Sequence, residues 1–424
     1  MGSKVLILAK KMNKLRMYQK IVRQFFFMLC LLLSYNGVQG EKKLSKLQDM
    51  ELEKQLKILN KSAIKTVKTK YGDIYDCIDF YKQHAFDHPL LKDHNFHPKM
   101  KPTLSMIKPN SYASTNSRLS TLWSKDGGCP SGTVPIKRTT KDDLIRQRDM
   151  PPPEPANFDN EFVGSNNTSE QKARYMPSYG YKRAIVRTPK DSNTKFSGAG
   201  MATSLFNPHV KGKQHSACRL KIQKGSDILQ VGWRVDPTLY GDNKTRLFVH
   251  FQTGKFHCFN TLCPGFVHVS TDTPLDMSFE DNLSQRGGTT WEMIMYIYRD
   301  QADGNWWLLM GQNYEKIGFW PHIIFTELAD FATNVEWGGV VYNPPGVPEP
   351  PMGSSYFPIE NSTFDAYCRS IAVSNEKGDS VGIHNIVWRT DNYFAYKVLF
   401  KQLFEGLNNF TYVLYGGPGN NARV

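Results

Sequence analysis

The run Asp227-Ile-Leu-Gln-Val-Gly-Trp-Arg-Val-Asp236 constrains this chain more than any other. Leu229, Val231, Trp233 and Val235 alternate with Gln230, Gly232, Arg234 and Asp236. That period of two marks a strand with one face in a core and the other left polar. Further on, Val335-Glu-Trp-Gly-Gly-Val-Val341 repeats the arrangement, with Glu336 and Gly338 on one face and Trp337, Gly339 and Val341 on the other. Two such strands can present Gln230, Gly232, Glu336 and Gly338 to one groove. Glycine inside a strand is expected where another backbone approaches closely. Gly232 and Gly338 are therefore candidate substrate-binding residues. Trp233 and Trp337 beside them are candidates for stacking on proline or sugar rings, with the core as the competing place for both indoles.

From Tyr181 onward the same texture continues. Ala184–Arg187, Met201–Phe206, Leu229–Val235, Arg246–Phe251, Trp291–Tyr298, Trp306–Met310, Val335–Tyr342 and Tyr412–Tyr415 read as short strands divided by Gly, Pro and Asp turns. Without long helical patterns between them, they imply an all-β fold, an antiparallel β-sandwich over residues 179–424.

The chain has 424 residues, too many for one compact domain, and its first half differs in kind. Seven Lys and Arg between Lys4 and Arg23 precede the apolar run Phe25–Leu33, and small or polar residues follow to Gly40. This has the build of a secretory signal, too short for a membrane span, so residues 1–40 are expected to be removed. An uncleaved anchor is the alternative, and translation could also start at Met12 or Met17. The formal charge of +14 would otherwise suggest nucleic acid; with an export signal, no nucleic-acid partner and no membrane span after cleavage are expected. The expected location is extracellular, in apoplast or cell wall, or vacuolar. Export agrees with seven Asn-x-Ser/Thr acceptors, at Asn60, Asn166, Asn167, Asn243, Asn282, Asn361 and Asn409. It agrees also with the even set Cys77, Cys129, Cys218, Cys258, Cys263 and Cys368 beyond the signal. Cys258 and Cys263 close a short loop and are expected to be disulfide-bonded; the pairing of the other four is open.

Leu44, Leu47, Leu52, Leu56, Leu59, Ile64 and Val67 fall near helical spacing and predict an amphipathic helix over 41–69. The run Gly72–Lys92 reads as a strand ending in a Pro-bounded turn. His84, His88, His94 and His97 lie in what reads as loop, without fixed ligand geometry, so no metal is expected. Residues 151–178, with Pro151-Pro-Pro-Glu-Pro155 and Asn/Ser clusters, read as a linker. No Gly-x-Ser-x-Gly elbow, His-Glu-x-x-His helix or phosphate loop occurs, so no cofactor is expected and carboxylate chemistry remains.

Two sets of residues resemble a known family. Gly72–Lys92 and Cys129-Pro-Ser-Gly-Thr-Val-Pro-Ile-Lys137 resemble the activation peptide of the plant neprosin family, implying a mixed α/β propeptide over 41–150. The second half resembles the neprosin catalytic domain. It carries Gly232-Trp-x-Val, Pro237-x-Leu-Tyr-Gly-Asp-x-x-Thr-Arg-Leu247, Cys258–Cys263 with Pro264-Gly-Phe-Val267, and Gly304-Asn-Trp-Trp307. It also carries Phe319-Trp-Pro321, Val335-Glu-Trp-Gly-Gly339, Met352-Gly-Ser354 and Tyr415-Gly-Gly-Pro-Gly419. The resemblance implies a secreted glutamic endopeptidase, made as a zymogen held by its own propeptide, that cleaves proline-containing peptides at acid pH. Carried over by position, the second catalytic glutamate is Glu336, the general base. The first falls on Gln230, whose amide can donate to an oxyanion but cannot titrate. Without a second carboxylate, Glu336 is expected to titrate near the ordinary value of about 4.3. The alternative is a catalytically silent extracellular protein that binds peptide or carbohydrate on the same fold. Two cysteines usual near the family's C-terminus are missing, around Ala395 and after Asn420, while Cys218 and Cys368 are additions.

Overall fold

The computed structural model describes residues 46–103, 128–155, 180–189, 191, 193–383, 385–405 and 408–420. The leader and most of the linker lie outside them. Two compact units divide the chain, residues 1–54 and 55–424. The described part of the first, 46–54, is helical, the opening of α1 (Lys46–Leu59).

In the second unit Asn60 closes the helix by donating its backbone N–H to Leu56 O, and the chain then becomes strand β1 (Ala63–Lys68). The single helix expected to Thr69 is thus corrected. Ile64, Thr66 and Val67 are β-branched, and such side chains fit a pleated surface better than a helical turn. β1 pairs with β2 (Ile74–Asp79), and β2 with β3 (Thr133–Lys137), all antiparallel. Cys77 and Cys129 are disulfide-bonded beneath this small sheet. The helix α2 (Lys141–Gln147) follows, its start fixed by reciprocal bonds between Thr140 and Asp143.

The rest is a two-layer antiparallel sandwich, as the alternation predicts. Its seven-stranded sheet runs in the order β18 (Val387–Thr390), β4 (Tyr181–Arg187), β14 (Asn334–Tyr342), β6 (His215–Lys224), β7 (Asp227–Val235), β8 (Arg246–Thr253), β9 (Phe256–Phe259). The facing ten-stranded sheet runs in the order β10 (Val267–His268), β13 (Glu315–Trp320), β12 (Trp306–Met310), β11 (Glu292–Arg299), β5 (Gly198–Ser204), β16 (Ala366–Ser374), β20 (Asn408–Gly417), β15 (Met352–Gly353), with β17 (Ser380–Val381) paired to β16 and β19 (Lys397–Glu405) to β20. Between the layers Trp233, Trp306, Trp320 and Trp337 are wholly buried with Leu220, Ile222, Val231 and Met295. β6 is absent from the strands read out of the sequence, yet Cys218, Leu220 and Ile222 alternate there with Arg219, Lys221 and Gln223. Among the described residues no helix is long and apolar enough to cross a membrane.

Cys258 and Cys263 form the expected short disulfide. Cys218 on β6 and Cys368 on β16 meet across the core as buried thiols, with Sγ atoms 3.3 Å apart and Thr203 Oγ1 donating to Cys218 Sγ at 3.1 Å. A thiol-reactive dye should therefore label neither in the native protein and both after denaturation. Two labels taken up without denaturant would contradict this packing.

Among the glycan acceptors, Asn243 and Asn361 are exposed and Asn282 is half-buried. The Asn60 side chain is bonded to the Thr139 backbone in both directions. Asn166 and Asn167 lie outside the described residues, as does the Asn409 side chain.

Candidate functional site

Strand register assembles the site. In antiparallel pairs, directly opposed residues share a face. Arg187 opposes Glu336, Glu336 opposes Lys221, Lys221 opposes Gln230, and Gln230 opposes His250. A second row two residues along holds Ile185, Gly338, Arg219, Gly232 and Phe248. These rows lie on the outer face of the seven-stranded sheet, opposite to the tryptophan core. Gln230, Gly232, Glu336 and Gly338 therefore do share one face, but β6 runs between the two strands. At the usual spacing, Gln230 and Glu336 stand about 10 Å apart at the backbone, with Lys221 between them.

Trp233 and Trp337 do not line this face, which corrects their candidacy for substrate contact. Each is wholly buried on the core side and donates its indole N–H across to β5, Trp233 to Ser204 O at 2.9 Å and Trp337 to Gly200 O at 3.2 Å. The glycines also have local reasons. A Cβ on Gly232 would meet Cys218 O at 1.9 Å, and one on Gly338, whose φ is +133°, would meet Ala184 O at 2.5 Å. The backbone each accommodates is the neighbouring strand of its own sheet, not a ligand. Gly232→Ala should accordingly lower stability by about 1–3 kcal/mol or more, as overpacking does. A denaturant midpoint equal to that of the parent would show that the strands can part at no cost.

The polar face is closed by a piece of the chain that composition alone marks as linker. In Pro151-Pro-Pro-Glu-Pro155, Pro151 and Glu154 are buried, and Pro152 O accepts the Tyr181 hydroxyl at 2.8 Å. Met150 packs on the outer aromatic cluster of Tyr181, Tyr240, Phe248, Phe259 and Tyr342. Glu154 enters the centre of the face. Arg219 holds it through Nε at 3.1 Å and Nη2 at 2.6 Å, and the same Nη2 donates to Glu336 Oε2 at 2.8 Å. Lys221 Nζ stands 3.6 Å from Glu336 and 3.9 Å from Glu154. Asn334 Nδ2 donates to Glu336 Oε1 at 3.3 Å.

Two buried carboxylates thus share two cations. Burial pushes the Glu336 carboxyl up, but Lys221, Arg219 and Arg183 together outweigh it and hold Glu336 ionised far below the usual range. The expectation of a near-ordinary value for Glu336 is overturned, because it left out the cations on β6. Burial likewise raises Glu154, repulsion from Glu336 adds to that, and Arg219 with Lys221 more than reverses both. On the other side of Gln230, burial and the nearby His257 and Arg234 drive the His250 imidazole well below its ordinary value, so it is neutral. Neither ring nitrogen of His250 has a partner among the described residues. Arg219, Lys221, Glu154 and His250 all escaped the sequence reading. The alternation of β6 could have exposed the first two; nothing local marks Glu154.

Among the described residues no cluster of His, Cys, Asp and Glu could hold a metal. His84 binds Asp87 at 2.5 Å, and the His88 and His94 rings accept nearby backbone N–H groups.

A sandwich whose outer sheet face is closed by an N-terminal segment of the same chain is the plan of a protein held by its own propeptide. Residues 212–418 match the Neprosin family and residues 66–187 the Neprosin activation peptide. The chain belongs to the neprosin family, with the activation peptide preceding the sandwich domain. The activation-peptide match runs through β4, which is nevertheless an inner strand of the seven-stranded sheet. Among solved structures, scytalido-glutamic peptidase with a peptide-based transition-state analogue is similar at 11% identity and a TM-score of 0.29, covering 56% of this chain and 98% of that one. SCP-B of the eqolisin family, in complex with the tripeptide Ala-Ile-His, is similar at 10% identity and a TM-score of 0.28, again with 56% and 98% covered.

Proposed function

We propose that this protein is a secreted zymogen of a glutamic endopeptidase that acts on proline-containing peptides in acid. One observation carries the reading. A proline-rich peptide, the chain's own Pro151–Pro155, already lies across the face on which Gln230 and Glu336 stand, with its Glu154 bonded to the arginine that bonds Glu336. In the proposed reaction Glu336 takes a proton from water, whose oxygen attacks the scissile carbonyl carbon. The Gln230 amide donates to the oxygen as it becomes negative, and the proton on Glu336 passes to the leaving nitrogen as the C–N bond breaks.

A second reading has its own support. A carboxylate held so firmly ionised is a weak base, and Gln230 supplies no second acid, so the same face could bind peptides without cutting them. Acid also opens the latch. The folded-state pKa of Glu154 is depressed, so its hold on Arg219 is complete above the ordinary glutamate value of about 4.3 and fades as pH falls through the depressed value.

The test is to acidify the purified full-length protein, add a proline-rich protein, and sequence all fragments. The peptidase reading expects self-cleavage within residues 156–179 and substrate fragments ending at proline. An uncut chain together with an intact substrate would instead support the binding protein.

A further inference from the structure

We infer that the groove selects peptides in which an acidic residue lies between prolines, Glu154 being its stand-in. This rests on the reading of the outer face as a peptide site and names what that site prefers.

Charge makes the first argument. Arg219 and Lys221 are buried cations on β6, and among the described residues of the sheet Glu336 is the one carboxylate within 4 Å of either. When the N-terminal segment leaves, Glu154 leaves with it, and two cations face one anion. A ligand that covers the face again buries these cations, so one whose carboxylate restores the balance is favoured over one with a neutral or basic side chain.

Geometry makes the second. Arg219 grips Glu154 through two nitrogens, the forked pattern that a planar guanidinium gives to a carboxylate. Its third nitrogen, Nη1, is buried and has no partner among the described residues, so a donor is left over.

The neighbouring surface makes the third. Beside this pocket the face is aromatic, with Tyr181, Phe248, Phe259 and Tyr342, and it is there that Met150 packs and Pro152 receives the tyrosine hydroxyl. Flat rings suit proline rings. The basic pocket holds Glu154, while Met150 and the Pro152 carbonyl of the same segment meet the aromatic strip beside it.

The test measures binding alone, at neutral pH, on the full chain carrying Glu154→Gln, so that its own segment has lost its anchor. The probes are fluorescent Ala-Pro-Pro-Pro-Glu-Pro-Ala and its Gln and Lys counterparts, read by anisotropy. The Glu peptide is expected to bind about 10-fold or more tightly than the Gln peptide, and the Lys peptide most weakly. Adding Arg219→Gln should bring the Glu peptide down to the Gln peptide. Should that variant fail to fold, rising salt should weaken the Glu peptide more steeply than the Gln peptide in the singly substituted chain. Equal affinity of the Glu and Gln peptides overturns the inference, and so does no binding of the Glu peptide at about 1 mM. Acidic preference without any cleavage by acid-treated protein would keep this pocket and sink the peptidase. Cleavage of proline peptides with no acidic preference would keep the peptidase and sink the pocket.

Discussion

Replacing Arg219 by methionine is expected to cost about 3–5 kcal/mol of stability at neutral pH, because it strands buried charges rather than removing a contact. Arg219 is wholly buried and bonds both Glu154 and Glu336, and without it Lys221 is, among the described residues, the one cation left within 4 Å of the two carboxylates, with Arg183 acting on Glu336 from farther away. The pH dependence fixes the cause. In the parent both carboxyls are depressed, so their contribution is full above about 4.3 and is lost as pH falls through their folded values. In the variant the arginine's share of that depression is gone, so both carboxyls take up protons more readily than in the parent. The difference between parent and variant should then shrink as the solution is acidified. Adding Glu154→Gln to Arg219→Met should recover part of the loss. Denaturant midpoints at several pH values check all three statements, and a variant as stable as the parent at neutral pH would show that the ion cluster contributes nothing.

Glu336→Gln should lower cleavage of a proline-containing peptide by about 100- to 10,000-fold, the usual worth of a positioned base. The amide keeps the size of the side chain and can still accept a hydrogen bond from Arg219, but it cannot hold the proton taken from water. Loosening of the Glu154 contact in acid should persist, since it depends on Glu154 and Arg219, whereas self-cleavage of the chain should fail with the other cleavages. Undiminished cleavage by a folded Glu336→Gln protein would remove Glu336 from the chemistry. The pH profile of the parent adds a second check. With Lys221, Arg219 and Arg183 keeping Glu336 ionised, activity should not fall on the acid side near 4.3, as it would if Glu336 titrated normally.

Much of the site was legible in the sequence. The period of two in Leu229–Val235 and Val335–Val341 put Gln230, Gly232, Glu336 and Gly338 on one polar face, and the register agrees. The same alternation assigned Trp233 and Trp337 to the opposite face, where both indoles are buried, so their candidacy as ligand contacts was at odds with their own spacing. Gly232 and Gly338 were rightly read as points of close backbone approach, though the approaching backbone is that of the adjacent strand. The same pattern runs through Cys218–Gln223 on β6, which carries the cations that govern Glu336. Leucines and lysines at helical spacing continue without a break into Ile64 and Val67, so spacing alone prolongs α1 to a stretch where β-branching and pairing with β2 take over.

By itself the sequence determined what depends on neighbours along the chain: alternating strands, the polar face of each and the Cys258–Cys263 loop. Which strands lie side by side was decided only by the tertiary structure. β6 enters between β7 and β14, so Lys221 separates Gln230 from Glu336, and Cys218 reaches Cys368 across the core. The same holds for Glu154. A short proline-rich stretch buries too little apolar surface to order itself, but a sheet face carrying buried cations supplies the missing free energy, and no local pattern records that such a face exists.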